Sequence, residues 1–187
     1  MQDDARIFDE PALLIKKAKE GDAEAFGVLY TKYVTPIYRF VYLRVRSRED
    51  AEDLTQAVFM KAWNAMPRFE ERGNPFSSLL YTIARNSVID YWKKKKEVSL
   101  EDDAEMMQNI RDQDADPFAD TLRREDTQNV LAALRRLSDD QQEIIALKFI
   151  QDLSNKEIAE ITGKTEEAIR ALQHRALKAL REHFKTN

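Results

Sequence analysis

A chain of 187 residues is long enough for one or two domains that bury substantial cores without covalent staples. Its 4 glycines and 5 prolines, with no long alternating pattern, exclude a strand-rich fold and predict an all-α protein. The absence of cysteine excludes a disulfide framework, a structural zinc ribbon and thiol redox chemistry.

The two histidines, His174 and His183, fall on opposite sides of any helix they share, so no metal site is expected, and no cofactor. No apolar run approaches the roughly 20 residues that span a bilayer. The N-terminus, MQDDARIFDE, is acidic and unlike a signal peptide, so a cytoplasmic protein is expected. The formal net charge of −4 is unevenly spread. Residues 1–96 carry 17 basic and 14 acidic side chains, residues 97–124 carry 3 and 9, and residues 125–187 carry 10 and 11. The acidity therefore sits in the middle, and a DNA-binding role on either side remains open.

In chain order, Ala12 to Glu20 predicts a short helix, ended by Gly21 and restarted by Asp22 as an N-cap. A longer helix follows to about Arg46, with Phe26, Leu29, Tyr30, Tyr33, Ile37, Phe40 and Val41 as its apolar stripe and a kink expected at Pro36. Ser47 and Asp50 have capping-box spacing and open a helix of about Glu49 to Met66, stopped by Pro67. Ala51, Leu54, Val58, Ala62 and Ala65 read as its inward set, which leaves Asp53, Gln56, Phe59, Met60 and Trp63 partly accessible.

Asn74 to Lys96 is the stretch that carries the most chemistry. Phe76, Leu80, Ile83, Ala84, Ser87 and Tyr91 share one helical stripe, while Ser78, Thr82, Arg85, Asn86, Ile89 and Lys93 fall on the far side. Tyr81 and Trp92 flank that far face, and Lys93 to Lys96 close the helix. Rings that stack on bases beside amide, guanidinium and ammonium groups suit single-stranded DNA. The plainer reading is an amphipathic core helix with a solvated lysine tail.

From Glu97 to about Arg124 the pattern dissolves into an acidic stretch containing Pro117, which predicts a linker with little fixed structure. Glu101, Asp102 and Asp103 read as a solvated charge run rather than a metal or catalytic cluster. Order returns with a helix over Glu125 to Leu137 that places Val130, Leu131 and Leu134 on one side. Ser138 with Gln141 makes a capping box for a helix holding Ile144, Ile145, Leu147 and Phe149, and Ser154 with Glu157 makes another.

The segment SNKEIAEITGKTEEAIRALQ has helix-turn-helix spacing. Ala159 is the small residue where two helices cross, Gly163 the turn, Ile169 the anchor, and Thr165 the cap of the second helix. With Ile169, Leu172, Ala176 and Leu180 inward, the outward residues are Glu167, Arg170, Ala171, His174, Arg175 and Lys178. Such side chains reach phosphates or base edges in a major groove. A structural helical hairpin with a solvated mixed-charge face is the alternative.

The order and spacing of these pieces resemble the extracytoplasmic-function group of bacterial sigma factors, a branch of the sigma-70 family, from about Ala12 to Phe184. The resemblance rests on DLTQAVFMKAWNAM, FSSLLYTIARNSVIDYWKKKK and LSNKEIAEITGKTEEAIRALQHRA, in this order, with an acidic linker before the last. It implies two helical domains, residues 12–96 and 125–187, joined by the linker 97–124. The first implied interface is with the clamp helices of core RNA polymerase, through Asp53, Gln56, Phe59, Met60, Lys61 and Trp63. The second binds and melts the minus-ten promoter element, through Arg68, Asn74, Ser78, Tyr81, Thr82, Arg85, Asn86, Trp92, Lys93 and Lys94. The third reads the minus-thirty-five element, through Lys164, Thr165, Glu167, Arg170, Ala171, His174, Arg175 and Lys178.

The chain departs from the family pattern at Ala57, Leu79 and the pair Leu172-Gln173, so no promoter sequence carries over. The expected partners are core RNA polymerase, promoter DNA (duplex and locally single-stranded) and an anti-sigma factor. The expected function is transcription initiation without catalysis, since no activated nucleophile, ligand cluster or glycine-rich phosphate loop is present. The rival readings are a helix-turn-helix regulator that does not bind polymerase, and a helical scaffold that never meets DNA.

Overall fold

The computed structural model describes residues 10–45, 47–70, 75–101 and 125–186, and the elements in them are all helical. Helix α1 (Glu10–Lys19) ends at Gly21, whose φ of 92° suits only glycine without strain. The Asp22 carboxylate then accepts from the N–H groups of Glu24 (2.9 Å) and Ala25 (3.0 Å), satisfying orphan donors at the start of α2 (Ala23–Val45). Helix α2 carries Pro36 inside it without interruption.

Helix α3 (Arg48–Ala65) is capped by Ser47, whose Oγ accepts the Asp50 N–H at 3.2 Å. The Asp50 carboxylate does not close the expected box; Oδ2 instead accepts from Tyr91 Oη at 2.8 Å, tying α3 to the next helix. Pro67 ends α3, and the chain continues for one 3-10 turn, Met66–Arg68. Helix α4 (Phe76–Glu101) runs past the expected end at Lys96, so the start of the predicted linker is helical. The rest of that linker, residues 102–124, and Asn74 lie outside the described residues.

Helices α2, α3 and α4 pack together, with α1 lying on α2 and on the 3-10 turn. An aromatic seam joins them. The Phe26 ring on α2 meets Trp63 (4.9 Å between centroids) and Phe59 (6.5 Å) on α3, and Phe76 (6.5 Å) on α4, all edge-on. Tyr30 adds a 4.7 Å contact to Phe59. This corrects the reading of Phe59 as an accessible anchor: it is 3% exposed. The inward stripe of α3 is wider than its alanines suggest, because the Phe26 and Tyr30 rings of α2 pack onto Phe59 itself. Thr55 is buried on the same stripe.

The second body begins with α5 (Glu125–Arg135). Ala133 and Leu134 are buried, but Val130 is exposed, contrary to the expected stripe, and the Leu131 side chain is outside the described set. Helix α6 (Asp139–Ile145) opens on a complete capping box: Gln141 N–H donates to Ser138 Oγ at 3.4 Å, and Ser138 N–H to Gln141 Oε1 at 3.1 Å. The expected single helix does not continue to Phe149. It widens into a π-helical turn, Ala146–Ile150, which shifts the register so that Leu147 is buried while Phe149 is 56% exposed. Helix α7 (Asn155–Thr162) opens on a second complete box between Ser154 and Glu157.

Gly163 (φ 69°) then turns the chain into α8 (Glu166–Thr186), where Ile169, Leu172 and Ala176 are buried as the spacing requires. No helix among the described residues is long and apolar enough to cross a membrane. The buried apolar residues of both bodies form one continuous cluster, because α4 packs against α7.

Two stability outcomes follow from this packing. Phe59→Ala should lower the unfolding free energy by about 3–5 kcal/mol in urea titration, the range for removing a large buried ring. A Cβ at Gly163 would meet nothing within 4 Å, so Gly163→Ala costs only its left-handed backbone, about 1–2 kcal/mol in the same measurement.

Candidate nucleic-acid interfaces

The outer face of α3 presents Asp53, Gln56, Met60 and Lys61, with Met60 61% exposed. Trp63 is half-buried, its ring braced by Phe26. Lys61 Nζ donates to Ser87 Oγ on α4 at 3.1 Å, which fixes its stem against the neighbouring helix. A flexible apolar Met rimmed by polar groups, standing on a rigid aromatic floor, is a surface suited to another protein. Phe59 belongs to the floor.

The predicted DNA face of α4 divides in two. Its C-terminal half is open: Asn86, Trp92, Lys93 and Lys94 are exposed, and Arg68 on the 3-10 turn is exposed as well. Here Tyr91 and Trp92 meet edge-on at 5.2 Å, and Lys95 Nζ stands 5.3 Å and 5.6 Å from their ring centres. Lys95 also donates to Tyr91 Oη at 3.0 Å. Burial, foremost, pushes the Tyr91 phenol above its ordinary value. The aromatic pair and the cation thus form one preorganised platform, and Lys95 is a member that the sequence reading passed over.

The N-terminal half of the face is covered, which corrects the expectation of free side chains there. Ser78 is buried, Tyr81 is 2% exposed, and Thr82 and Arg85 are half-buried. Thr82 Oγ1 turns back to donate to the Ser78 carbonyl at 2.8 Å. The Tyr81 ring lies edge-on to Phe40 at 5.5 Å, and its hydroxyl donates to Gln151 Oε1 on the second body. Burial, with Tyr33 adding a smaller electrostatic contribution, raises the Tyr81 phenol far above its ordinary value. Arg85 Nε stands 3.1 Å from Glu143 Oε1.

Arg44, Glu143 and Gln151 are therefore parts of the site that sequence reasoning missed. The one available signal was Glu143 itself, a charge set directly beside the apolar run of Ile144 to Leu147.

The helix-turn-helix is built as its spacing predicts. Thr165 Oγ1 accepts the Ala168 N–H at 3.2 Å, and Gln173 on α8 donates to Asn155 Oδ1 on α7 at 2.9 Å, a second clasp between the two helices. Glu167, Arg170, Ala171, His174, Arg175 and Lys178 line the exposed side of α8, with Thr165 exposed and Lys164 half-buried at the turn. Arg170 reaches Glu166 (3.4 Å) and Glu167 (3.1 Å), Lys164 reaches Asp140 (3.2 Å), and Lys178 stands 4.0 Å from Glu182. The exposed pairs of Arg170 and Lys178 are each worth little. The Glu167 carboxyl is held below its usual range first by its own backbone N–H and then by the Thr165 hydroxyl. Among the described residues, no group of three metal-ligating side chains could hold an ion.

Residues 29–98 match the family described as Sigma-70 region 2, and residues 127–180 match Sigma-70, region 4. The chain is 38% identical over 178 residues to the ECF RNA polymerase sigma factor BldN of Streptomyces coelicolor, covering 95% of this chain and 66% of that protein. It is 32% identical to SigX of Bacillus subtilis, covering 86% of this chain and 84% of that protein, and 30% identical to SigW of the same organism, covering 91% and 95%. Among solved structures, the sigma factor RpoE of Bartonella quintana, in complex with the anti-sigma factor NepR, superposes with a TM-score of 0.74 at 26% identity, over 88% of this chain and 99% of that one. CnrH, in complex with the cytosolic domain of CnrY, shares the fold with a TM-score of 0.72 at 22% identity, over 96% and 99%. The chain belongs to the extracytoplasmic-function RNA polymerase sigma factors, the alternative sigma factors that direct RNA polymerase to promoters.

Proposed function

We propose that this chain docks on the clamp helices of core RNA polymerase through α3 and reads the minus-thirty-five element with α8. The C-terminal half of α4 then holds the unpaired minus-ten strand. The observation that carries this reading is the platform of Tyr91, Trp92 and Lys95 beside the exposed Lys93 and Lys94. Stacking on an open ring face is offered only to bases already out of the duplex, and the lysines supply the sequence-independent attraction to phosphate. Asp53, Gln56, Met60, Lys61 and Trp63 form the polymerase patch, with Phe59 and Phe26 supporting it from beneath.

On α8, Arg170, His174, Arg175 and Lys178 approach the major groove. Lys164 and Thr165 lie at its entrance, and Glu167 and Ala171 fall within reach of base edges. The chain contributes binding energy and traps a melted strand; the polymerase performs the chemistry. Its place of action is the cytoplasm, on the nucleoid when assembled with polymerase. The similarity to a sigma factor crystallised with an anti-sigma factor supports a helical inhibitory partner for this chain as well.

The deciding experiment is transcription in vitro with core polymerase on a fragment library, followed by sequencing of the transcript starts. Starts clustered at one two-part motif are expected; no chain-dependent start would reject the proposal. Met60→Ala should weaken core-polymerase binding by about 1–2 kcal/mol while leaving the melting temperature of the free chain unchanged. Trp92→Ala should slow promoter opening, followed by a fluorescent base analogue, more than it weakens closed-complex binding. Equal losses in the two steps would contradict stacking on unpaired bases.

A further inference from the structure

Core packing fixes where α4 points, but it does not fix the rotamers of the exposed turns at its end. Lysine carries a flexible stem there and loses much entropy when held in one place. The side chain that orders the platform comes from another helix. Asp50 stands in the first turn of α3, three residues beyond the cap Ser47. A side chain at this position of a capping box turns back to the N–H of the cap. Asp50 faces α4 instead: its Oδ2 accepts from Tyr91 Oη at 2.8 Å, and the same phenol oxygen accepts from Lys95 Nζ at 3.0 Å. Lys95 Nζ in turn stands 5.3 Å from the Tyr91 ring centre and 5.6 Å from that of Trp92. Two helices thus supply one line of contacts, from carboxylate to phenol to ammonium to indole.

We infer that Asp50 is a positioning residue for single-stranded DNA: from α3 it orders Tyr91, and through Tyr91 it holds Lys95 and the Trp92 ring where an unpaired base can stack. That the ordered platform serves DNA rests on the function proposed above; that Asp50 orders it does not. Negative charge in the first turn of a helix is favoured, so Asp50 offers a well-placed anion. Burial, foremost, holds the Tyr91 phenol above its ordinary value, so the oxygen keeps its proton and donates it to the carboxylate. A hydroxyl that donates to a carboxylate is a stronger acceptor, which tightens its hold on Lys95. The platform then binds better because its side chains are already immobilised when the strand arrives. Net charge alone predicts the opposite sign. Removing a carboxylate makes the chain less negative and strengthens its attraction to any phosphate backbone.

The test uses the full chain labelled with fluorotryptophan, whose 2 tryptophans, Trp63 and Trp92, give separate fluorine resonances assigned by Trp92→Phe. Asp50→Ala, and Tyr91→Phe from the neighbouring helix, should each shift and broaden the Trp92 resonance. The Trp63 resonance, on the same helix as Asp50, should stay in place. Each variant should bind a mixed-sequence single-stranded oligonucleotide roughly fivefold more weakly, the factor for one long side chain left to be ordered on binding. The double variant should lose no more than either single one, since both break the same line of contacts. Asp50→Asn, which keeps an acceptor oxygen, should retain part of the affinity. Ser87→Ala removes a different side-chain bond between α3 and α4, that from Lys61, and should change neither measurement. An unmoved Trp92 resonance in both single variants would overturn the inference. So would unchanged or tighter oligonucleotide binding by Asp50→Ala where Trp92→Ala binds more weakly. If Trp92→Ala itself loses no affinity, the strand-binding reading of α4 fails, and with it the DNA role inferred for Asp50.

Discussion

The packing of α4 is the constraint on which the rest of the structure depends. One stripe of this helix, through Phe76, Leu80, Ala84 and Val88, closes the core formed with α2 and α3. A second side, through Tyr81 and Arg85, lies against the C-terminal domain. Its later turns project into solvent, with Asn86 and Asp90 exposed and then Trp92 to Glu97 exposed in succession. A helix with two packed sides has little freedom to rotate or slide, since either motion would uncover apolar area at roughly 25 cal/mol per Å². The orientation of the Tyr91–Trp92–Lys95 platform is thus set by core packing far from the platform itself.

The C-terminal domain reaches comparable order by different means. Its helices are short: α6 has 7 residues and α7 has 8, lengths at which isolated helices are not stable in water. Two complete capping boxes, the left-handed Gly163 and the clasp between Gln173 and Asn155 fix where each helix starts and how α7 meets α8. Every one of these devices is local or nearly so. The angle between α7 and α8 therefore follows from the hydrogen bonds at their own turn and from the packing of Ile169, Leu172 and Ala176 within this domain.

Legibility in the sequence follows the same division. Capping boxes, glycine turns and the 3.6-residue stripe of α8 are written in neighbouring residues, and they appear where the spacing placed them: Ser138, Ser154, Gly163 and Ile169 all hold their predicted places. Contacts between helices are not written locally. Phe59 reads as a partly accessible ring on the wheel of α3, and only the position of Phe26 and Tyr30 on α2 reveals that it is core. Phe149 fails for another reason, since a π-helical turn shifts the register by a residue and carries it outward. The covered half of the α4 face was the least legible part. Arg44 and Glu143 are 99 positions apart, and nothing in either segment alone pairs them.

That pairing also bears on the electrostatics of recognition. A carboxylate and a phosphate are alike to arginine, since both are oxygen anions that a guanidinium group can hold by charge-assisted hydrogen bonds. Arg44 and Arg85 stand 3.2 Å and 3.1 Å from the same Glu143 oxygen, so the positive charge on this part of α2 and α4 is met by a carboxylate of the second body. Salt acts unequally on exposed and buried charges. It weakens the attraction to DNA through counterion release, while the buried pair is screened far less. Rising ionic strength should therefore loosen exposed pairs such as Arg170–Glu167 before it loosens the buried Arg44–Glu143 pair. Part of the positive charge of α4 is thus answered within the chain itself, by the buried Glu143 carboxylate beside Arg85.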